Sequence, residues 1–144
     1  MFSKACEYGI RATIFIAEQS LIGQKVGQIA IAKAIDSPEA FTAKTLQILT
    51  RNNLVSSDKG PNGGFYLDNK QLNKTCLSQI VVAIDGNDIF KGCALGLKKC
   101  NEKMPCPVHF QFKSIRDELQ QMLESTTVQD LAIGLKSGLT FLKR

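Results

Sequence analysis

The 144 residues are 44% hydrophobic and 22% charged, the balance of an ordinary globular domain, which excludes a disordered tail, a collagen-like repeat and most low-complexity readings. No apolar run approaches the ~20 residues of a membrane span, and Met1-Phe2-Ser3-Lys4 opens no apolar signal stretch, so the expected compartment is the cytoplasm. Lys and Arg outnumber Asp and Glu by 18 to 13, formally +5, which favours a polyanionic partner. The five cysteines are odd in number, and a reducing compartment disfavours structural disulfides, so metal or redox chemistry gains weight.

Ser3 can cap a first helix that carries Glu7 in its early turns and Ile10, Ile14 and Ala17 at helical spacing. A second helix is expected over 28–35, with Ile29, Ala32 and Ile35 on one stripe. Asp36-Ser37-Pro38 stops it, and Pro38 suits the start of the next helix, about 39–52, with Leu46 and Leu49 inward. Two helices joined by so short a break outline a helix-turn-helix. Leu54–Ser57 and Phe65–Leu67 read as short strands around the glycine-rich turn Asp58–Gly64. A helix-turn-helix followed at once by a hairpin is a winged helix. Thr75 can then cap a helix with Leu77, Ile80, Val81 and Ile84, ended by Gly86.

The rest of the chain changes pattern. Residues 85–107 form a Gly/Lys/Cys/Pro stretch without amphipathic period. Residues 108–144 are helical again: Val108, Phe112, Ile115, Leu119 and Met122 repeat at spacings of 4, 3, 4 and 3, a coiled-coil seam of about two heptads. Thr127, with Asp130 three residues on, opens a final helix carrying Leu131, Leu135, Leu139 and Leu142. The expected fold is mainly α with a small β-hairpin wing. It divides into a winged helix-turn-helix domain (1–84), a cysteine-containing sensor loop (85–107) and dimerisation helices (108–144).

The outward face of the third helix presents Ala40, Ala43, Lys44, Gln47 and Arg51. Lys44 and Arg51 can meet phosphates or guanine acceptors, Gln47 can pair with an adenine edge, and the alanines allow close approach to thymine methyls. In the wing, Lys59 stands beside Gly60-Pro61-Asn62-Gly63. Small residues there leave room for a backbone to approach phosphates or a narrow minor groove that attracts a cation. A basic wing behind a helix-turn-helix is a stronger sign of double-stranded DNA than either part alone.

Several segments together resemble the Rrf-two family of bacterial transcriptional regulators, the IscR/NsrR/CymR type. They are Tyr8-Gly-Ile-Arg11-Ala12, Ile29-Ala30, Phe41-x-x-Lys44, the run Leu54-Val-Ser-Ser-Asp-Lys-Gly-Pro-Asn-Gly-Gly-Phe-Tyr-Leu67, and Leu77-x-x-Ile80. The resemblance implies a homodimeric winged-helix protein that binds a roughly palindromic operator, with the long C-terminal helix as its dimer interface. Ala43 departs from the pattern, standing where some members carry an acidic residue that tunes sequence preference.

Cys93, Cys100 and Cys106 follow a Cys-x6-Cys-x5-Cys spacing, with His109 three residues beyond. This is neither the short-knuckle zinc pattern nor a ferredoxin run. Three thiolates leave a fourth ligand position open, and Lys98, Lys99 and Lys103 nearby ease deprotonation. His109 can fill that position, and so can Glu7 from the partner chain. The resemblance implies an iron–sulfur cluster (2Fe-2S or 4Fe-4S) on this cysteine trio, completed in some members by a following histidine and in others by an acidic residue matching Glu7. Zinc, a regulatory disulfide and no ligand at all are the alternatives, and Cys6 and Cys76 read as small buried hydrophobes.

The functional expectation is a DNA-binding repressor whose affinity depends on redox, nitric oxide or iron–sulfur status. The alternative is the same regulator without a cluster, responding to thiol oxidation, a metabolite or a partner protein. An enzyme is not expected: the chain has one histidine, no Cys-x-x-Cys, no phosphate-cradling glycine loop and no nucleophile elbow. An RNA-binding module would want an aromatic platform, and the chain has no Trp and two Tyr.

Overall fold

Ser3 begins the first helix by accepting the Cys6 N–H at 3.1 Å, and α1 (Lys4–Leu21) follows. A computed structural model describes all of residues 1–144. The buried face of α1 is made of Cys6, Gly9, Ala12, Thr13, Ile14, Ile16 and Ala17. Its small residues let other helices approach closely, and α1 packs against α3, α5, α8 and the hairpin.

Helices α2 (Gln28–Ala34) and α3 (Glu39–Arg51) form the helix-turn-helix. The turn places Asp36 in the left-handed region at φ 53°, a conformation that Asp tolerates better than most residues. Ile31, Ala32 and Ile35 enter the core. Ile29, expected on the inward stripe, is 67% exposed instead: in a helix of seven residues the period is too short to separate position 29 from 31. On α3 the buried residues are Thr42, Thr45, Leu46 and Leu49.

The wing is an antiparallel hairpin of β1 (Ser56–Asp58) and β2 (Gly64–Tyr66), with Ser56 opposite Tyr66 and Asp58 opposite Gly64. Each strand sits slightly differently from its expected span. Leu54 and Val55 leave the strand to enter the core, so pairing begins at Ser56. Val26 adds a third edge: its N–H donates to the Phe65 carbonyl at 3.0 Å and its carbonyl accepts the Phe65 N–H at 2.7 Å.

Two short helices, one over Asn69–Lys74 and one over Asp88–Lys91, lie outside the elements expected from the sequence. In α4 (Asn69–Lys74), Asp68 accepts the Gln71 N–H at 2.7 Å and Gln71 accepts the Asp68 N–H at 2.9 Å, a reciprocal capping box legible as Asp-x-x-Gln. Helix α5 (Leu77–Asp85) starts behind Cys76, not Thr75, with the Cys76 N–H donated to Gln79 at 2.8 Å. Gly86, at φ 80°, ends it. The single turn α6 (Asp88–Lys91) leads into the cysteine loop, which delivers the chain to α7 (His109–Ser125).

Thr127 caps α8 (Val128–Lys136) by accepting the Asp130 N–H at 3.2 Å. This helix is shorter than expected. It stops before Gly138, which turns the chain at φ 76°, so Leu139 and Leu142 lie beyond it and Leu139 is 81% exposed. Backbone bonds from Leu77 to Thr126 (3.1 Å) and from Val128 to Thr75 (2.9 Å) tie the start of α5 to the α7–α8 turn. One hydrophobic core of 18 residues runs from Cys6 through Leu46, Leu49 and Ile80 to Leu123, Val128 and Ala132.

Gly64 stands at φ 134°, and a Cβ there would come within 3.0 Å of the Val26 backbone. Gly64→Ala is expected to cost about 1–3 kcal/mol through local backbone strain, read as a lower urea midpoint with an unchanged slope.

Candidate functional site

The buried threonines and leucines of α3 fix which face remains outside. Ala40, Lys44, Gln47 and Arg51 are exposed there, and Ala43 is half-buried. A groove runs between this face and the hairpin, lined by Ala43, Lys44, Gln47 and Thr50 on the helix and by Ser57 and Phe65 on the strands. The wing tip holds Lys59, Gly60, Pro61 and Asn62 in solvent, with Gly63 half-buried. A Cβ on Gly63 would collide with the Asp58 carbonyl, so the tight tip requires glycine. None of the ion pairs in the structure involves Lys44, Arg51 or Lys59, which leaves these cations uncommitted.

Lys25 carries no sequence signal of a role at the wing. It lies at the wing base, donates to Asp58 at 2.6 Å and stands 4.9 Å from the Tyr66 ring centroid. Its segment has no periodicity to mark it. The Tyr8–Arg11 segment has a bracing role: the Arg11 guanidinium donates to the Ile35 carbonyl at 2.8 Å, at the end of α2, and stacks 4.9 Å from the Tyr8 ring. Tyr8 in turn meets Phe41 of α3 edge-on at 5.9 Å. The motif thus sets α1 against both helices of the helix-turn-helix.

The cysteine loop brings its donors together in two pairs. Cys93 is held below the ordinary thiol range by the Leu97 and Leu95 backbone N–H groups and then by the neighbouring Cys106 thiol. Cys100 Sγ lies 3.3 Å from His109 Nδ1. His109 is buried at the first position of α7, its own N–H donated to the Cys106 carbonyl at 3.0 Å. Its Nε2 is buried and has no partner, an arrangement that costs about 1–3 kcal/mol unless something accepts or donates there. All five cysteines are free thiols. The donor types therefore fit a soft metal centre, although no three His, Cys, Asp or Glu side chains stand together within reach of one ion. Glu7 is engaged elsewhere, accepting from Lys4 at 2.7 Å. Of the three lysines expected near the thiols, Lys98 and Lys99 line a concavity of ~760 Å³ together with Cys93, Cys100 and Arg116, and Lys103 does not.

Arg116 was also missed. It donates through Nη2 to Cys100 Sγ at 3.2 Å and through Nη1 to the Gly92 carbonyl. Its position seven residues after His109, on the same helix face, was the available signal.

A helix-turn-helix with a free cationic face, flanked by a wing with a free cation at its tip, defines a DNA-binding regulator of the winged-helix class. The chain belongs to the Rrf2 family: its residues 2–133 match that family, described as an iron-dependent transcriptional regulator. It is 31% identical over 133 residues to an HTH-type transcriptional regulator of Aquifex aeolicus, covering 91% of this chain and 90% of that one. It is 29% identical over 83 residues to the HTH-type transcriptional regulator IscR of Pectobacterium atrosepticum, covering 58% of this chain and 49% of that protein. Two solved structures share the fold. CymR, the global cysteine regulator of B. subtilis, superposes with a TM-score of 0.74 at 22% identity, over 92% of this chain and 96% of that one. T. potens IscR superposes with 0.73 at 16% identity, over 97% and 91%. These relatives are transcriptional regulators, not enzymes. No helix is long and apolar enough to cross a membrane.

The two kinds of cysteine environment separate in reactivity. Cys6 is fully buried, and burial, then the Asp85 carboxylate, pushes its thiol up to about 12. In native metal-free protein at pH 8, iodoacetamide is expected to modify Cys93 first and to spare Cys6 until denaturant is added, read by peptide mass spectrometry.

Proposed function

We propose that this regulator acts as a homodimeric repressor, inside the cytoplasm, on a roughly palindromic operator, and that its cysteine loop carries the sensor. The observation that carries the DNA reading is the groove between α3 and the hairpin, with Lys44, Gln47 and Arg51 on one side and Lys59 at the wing tip. In this reading Ala40, Ala43 and Gln47 meet base edges in a major groove. Lys44 and Arg51 reach guanine acceptors or phosphates, and Lys59 with Gly60, Pro61, Asn62 and Gly63 approaches the backbone or the adjacent minor groove.

The dimer reading rests on α7. Only Leu123 and His109 of this helix are buried, whereas Phe112, Ile115 and Met122 are 41%, 59% and 46% exposed. Those three belong to the heptad seam, whereas Leu119 of the same seam packs against the core, so the seam is covered only in part within its own chain. A second copy supplies the apolar surface that such a stripe requires. Two recognition helices related by a two-fold axis then read two half-sites.

For the sensor, Cys93, Cys100, Cys106 and His109 are the residues that would hold an iron–sulfur cluster, with Glu7 of the partner chain as the alternative fourth ligand. Bound there, a cluster supplies a centre whose charge and integrity change with oxidation, nitric oxide or iron supply. The free thiols and the unpartnered His109 Nε2 support this reading. The loop runs directly into α7, so its order bears on the seam and hence on the spacing of the recognition helices. The separation of the donors into two pairs favours a second reading, the same regulator without a cluster and with thiol oxidation as its signal.

Lys44→Ala or Gln47→Ala is expected to change preference among operator sequences by about 1–3 kcal/mol. Lys59→Ala is expected to weaken all duplexes alike and to lower the salt slope by about 0.9. Binding isotherms across sequences and salt concentrations check both, and sequence-independent losses at 44 and 47 would place recognition elsewhere. Anaerobically purified protein is expected to show visible absorbance with iron and sulfide, all lost when Cys93, Cys100 and Cys106 are replaced by Ala. A colourless, iron-free wild type leaves the thiol reading in force.

A further inference from the structure

The loop from Gly92 to Pro107 is joined to the rest of the molecule by few side chains. The backbone N–H groups of Leu97 and Leu95, within the loop, hold the Cys93 thiol below its ordinary range, and Gly96 donates back to the Cys93 carbonyl at 2.9 Å. Lys113 of α7 reaches Glu102 at 3.7 Å, but both side chains are well exposed, at 40% and 64%, and such a pair contributes little. Arg116 is different. One nitrogen of its fork donates to the Gly92 carbonyl, immediately before Cys93, and the other donates to Cys100 Sγ at 3.2 Å. Its Nε is buried without a partner, so the guanidinium is sunk between loop and helix. His109, two turns earlier on the same face, meets the same sulfur at 3.3 Å.

We propose that Arg116 is the positioning residue of the cysteine loop, fastening the loop's entrance and its middle cysteine to the seam helix α7. A planar fork reaches two acceptors in fixed directions at once, which an ammonium on a flexible stem cannot do. The two acceptors are eight residues apart in the chain, so this single side chain closes the first half of the loop. Arg116 thereby links loop order to the lie of α7, beside the single contact that His109 makes with Cys100. The proposal rests on the reading of the loop as the sensor only in giving this linkage a purpose. The contacts themselves belong to the metal-free protein.

The test is hydrogen–deuterium exchange on metal-free, reduced full-length protein, comparing the wild type with Arg116→Gln and Arg116→Lys. In Arg116→Gln, amides of residues 93–100 are expected to exchange about tenfold faster, with α3 and α5 unchanged. Arg116→Lys is expected to restore part of the protection, since it keeps the charge and can reach one acceptor. Equal exchange in all three proteins overturns the proposal. Global unfolding of both variants overturns it too, since the residue would then hold the domain and not the loop. Iron content of the wild type decides the cluster reading separately, and an iron-free result leaves this comparison intact.

Discussion

The close approach of three helices at Gly9 is the constraint on which the rest of the molecule is built. A side chain there would collide with Ile84 of α5 and press on Thr45 of α3. Because glycine stands at that point, α1 can serve as the common surface for the recognition helix, for α5 and, further along, for α8. Ala12, Thr13 and Ala17 continue the same narrow face. Interiors packed at crystal density transmit displacement instead of absorbing it, so the recognition helix cannot tilt without moving α1. Tyr8 and Arg11, flanking Gly9 in the same turn, add polar and aromatic contacts to α2 and α3.

The cysteine loop departs from the far end of this assembly. The Asp85 carboxylate accepts the Ser3 N–H at 2.9 Å and also the Ser3 hydroxyl. The residue that caps α1 is therefore held by the residue that closes α5. The other end of α5 is tied by backbone bonds to the α7–α8 turn. The loop lies between α6 and α7, α7 packs on α5, and α5 packs on α1. The chain of packed contacts from loop to recognition helix is short, and each link in it is a named group.

Much of this was legible in the sequence. The caps at Ser3 and Thr127, the inward Leu46 and Leu49, and the hairpin around its glycines follow from local chemistry, which the final packing leaves intact. The failures fall where local signals are short or absent. Ile29 and Ile31 both fit a seven-residue helix, and only the neighbouring α3 decides between them. The last helix was extended to Leu142 because leucine periodicity outweighed Gly138, a stop signal in its own right. In the site, the exposed face of α3 was readable because its buried face was. Lys25 and Arg116 were not, since each owes its role to a partner distant in sequence: Asp58 in one case, Gly92 and Cys100 in the other.

The five cysteines show how one residue type is sorted by surroundings. Cys6 is enclosed by the core near a carboxylate, where a thiolate would be opposed by desolvation and by like charge, so it behaves as a small apolar side chain. Cys76 stands at a helix start, where the Gln79 side chain satisfies its N–H, and its backbone does the structural work. Cys93, Cys100 and Cys106 are half-exposed: backbone N–H groups hold the Cys93 thiol below its ordinary range, and Cys100 meets Arg116 and His109. The chain places lysines around them and no acid within the first half of the loop. Three free thiols gathered in one loop beside a buried, half-paired imidazole thus stand in surroundings quite unlike those of the single enclosed thiol of Cys6.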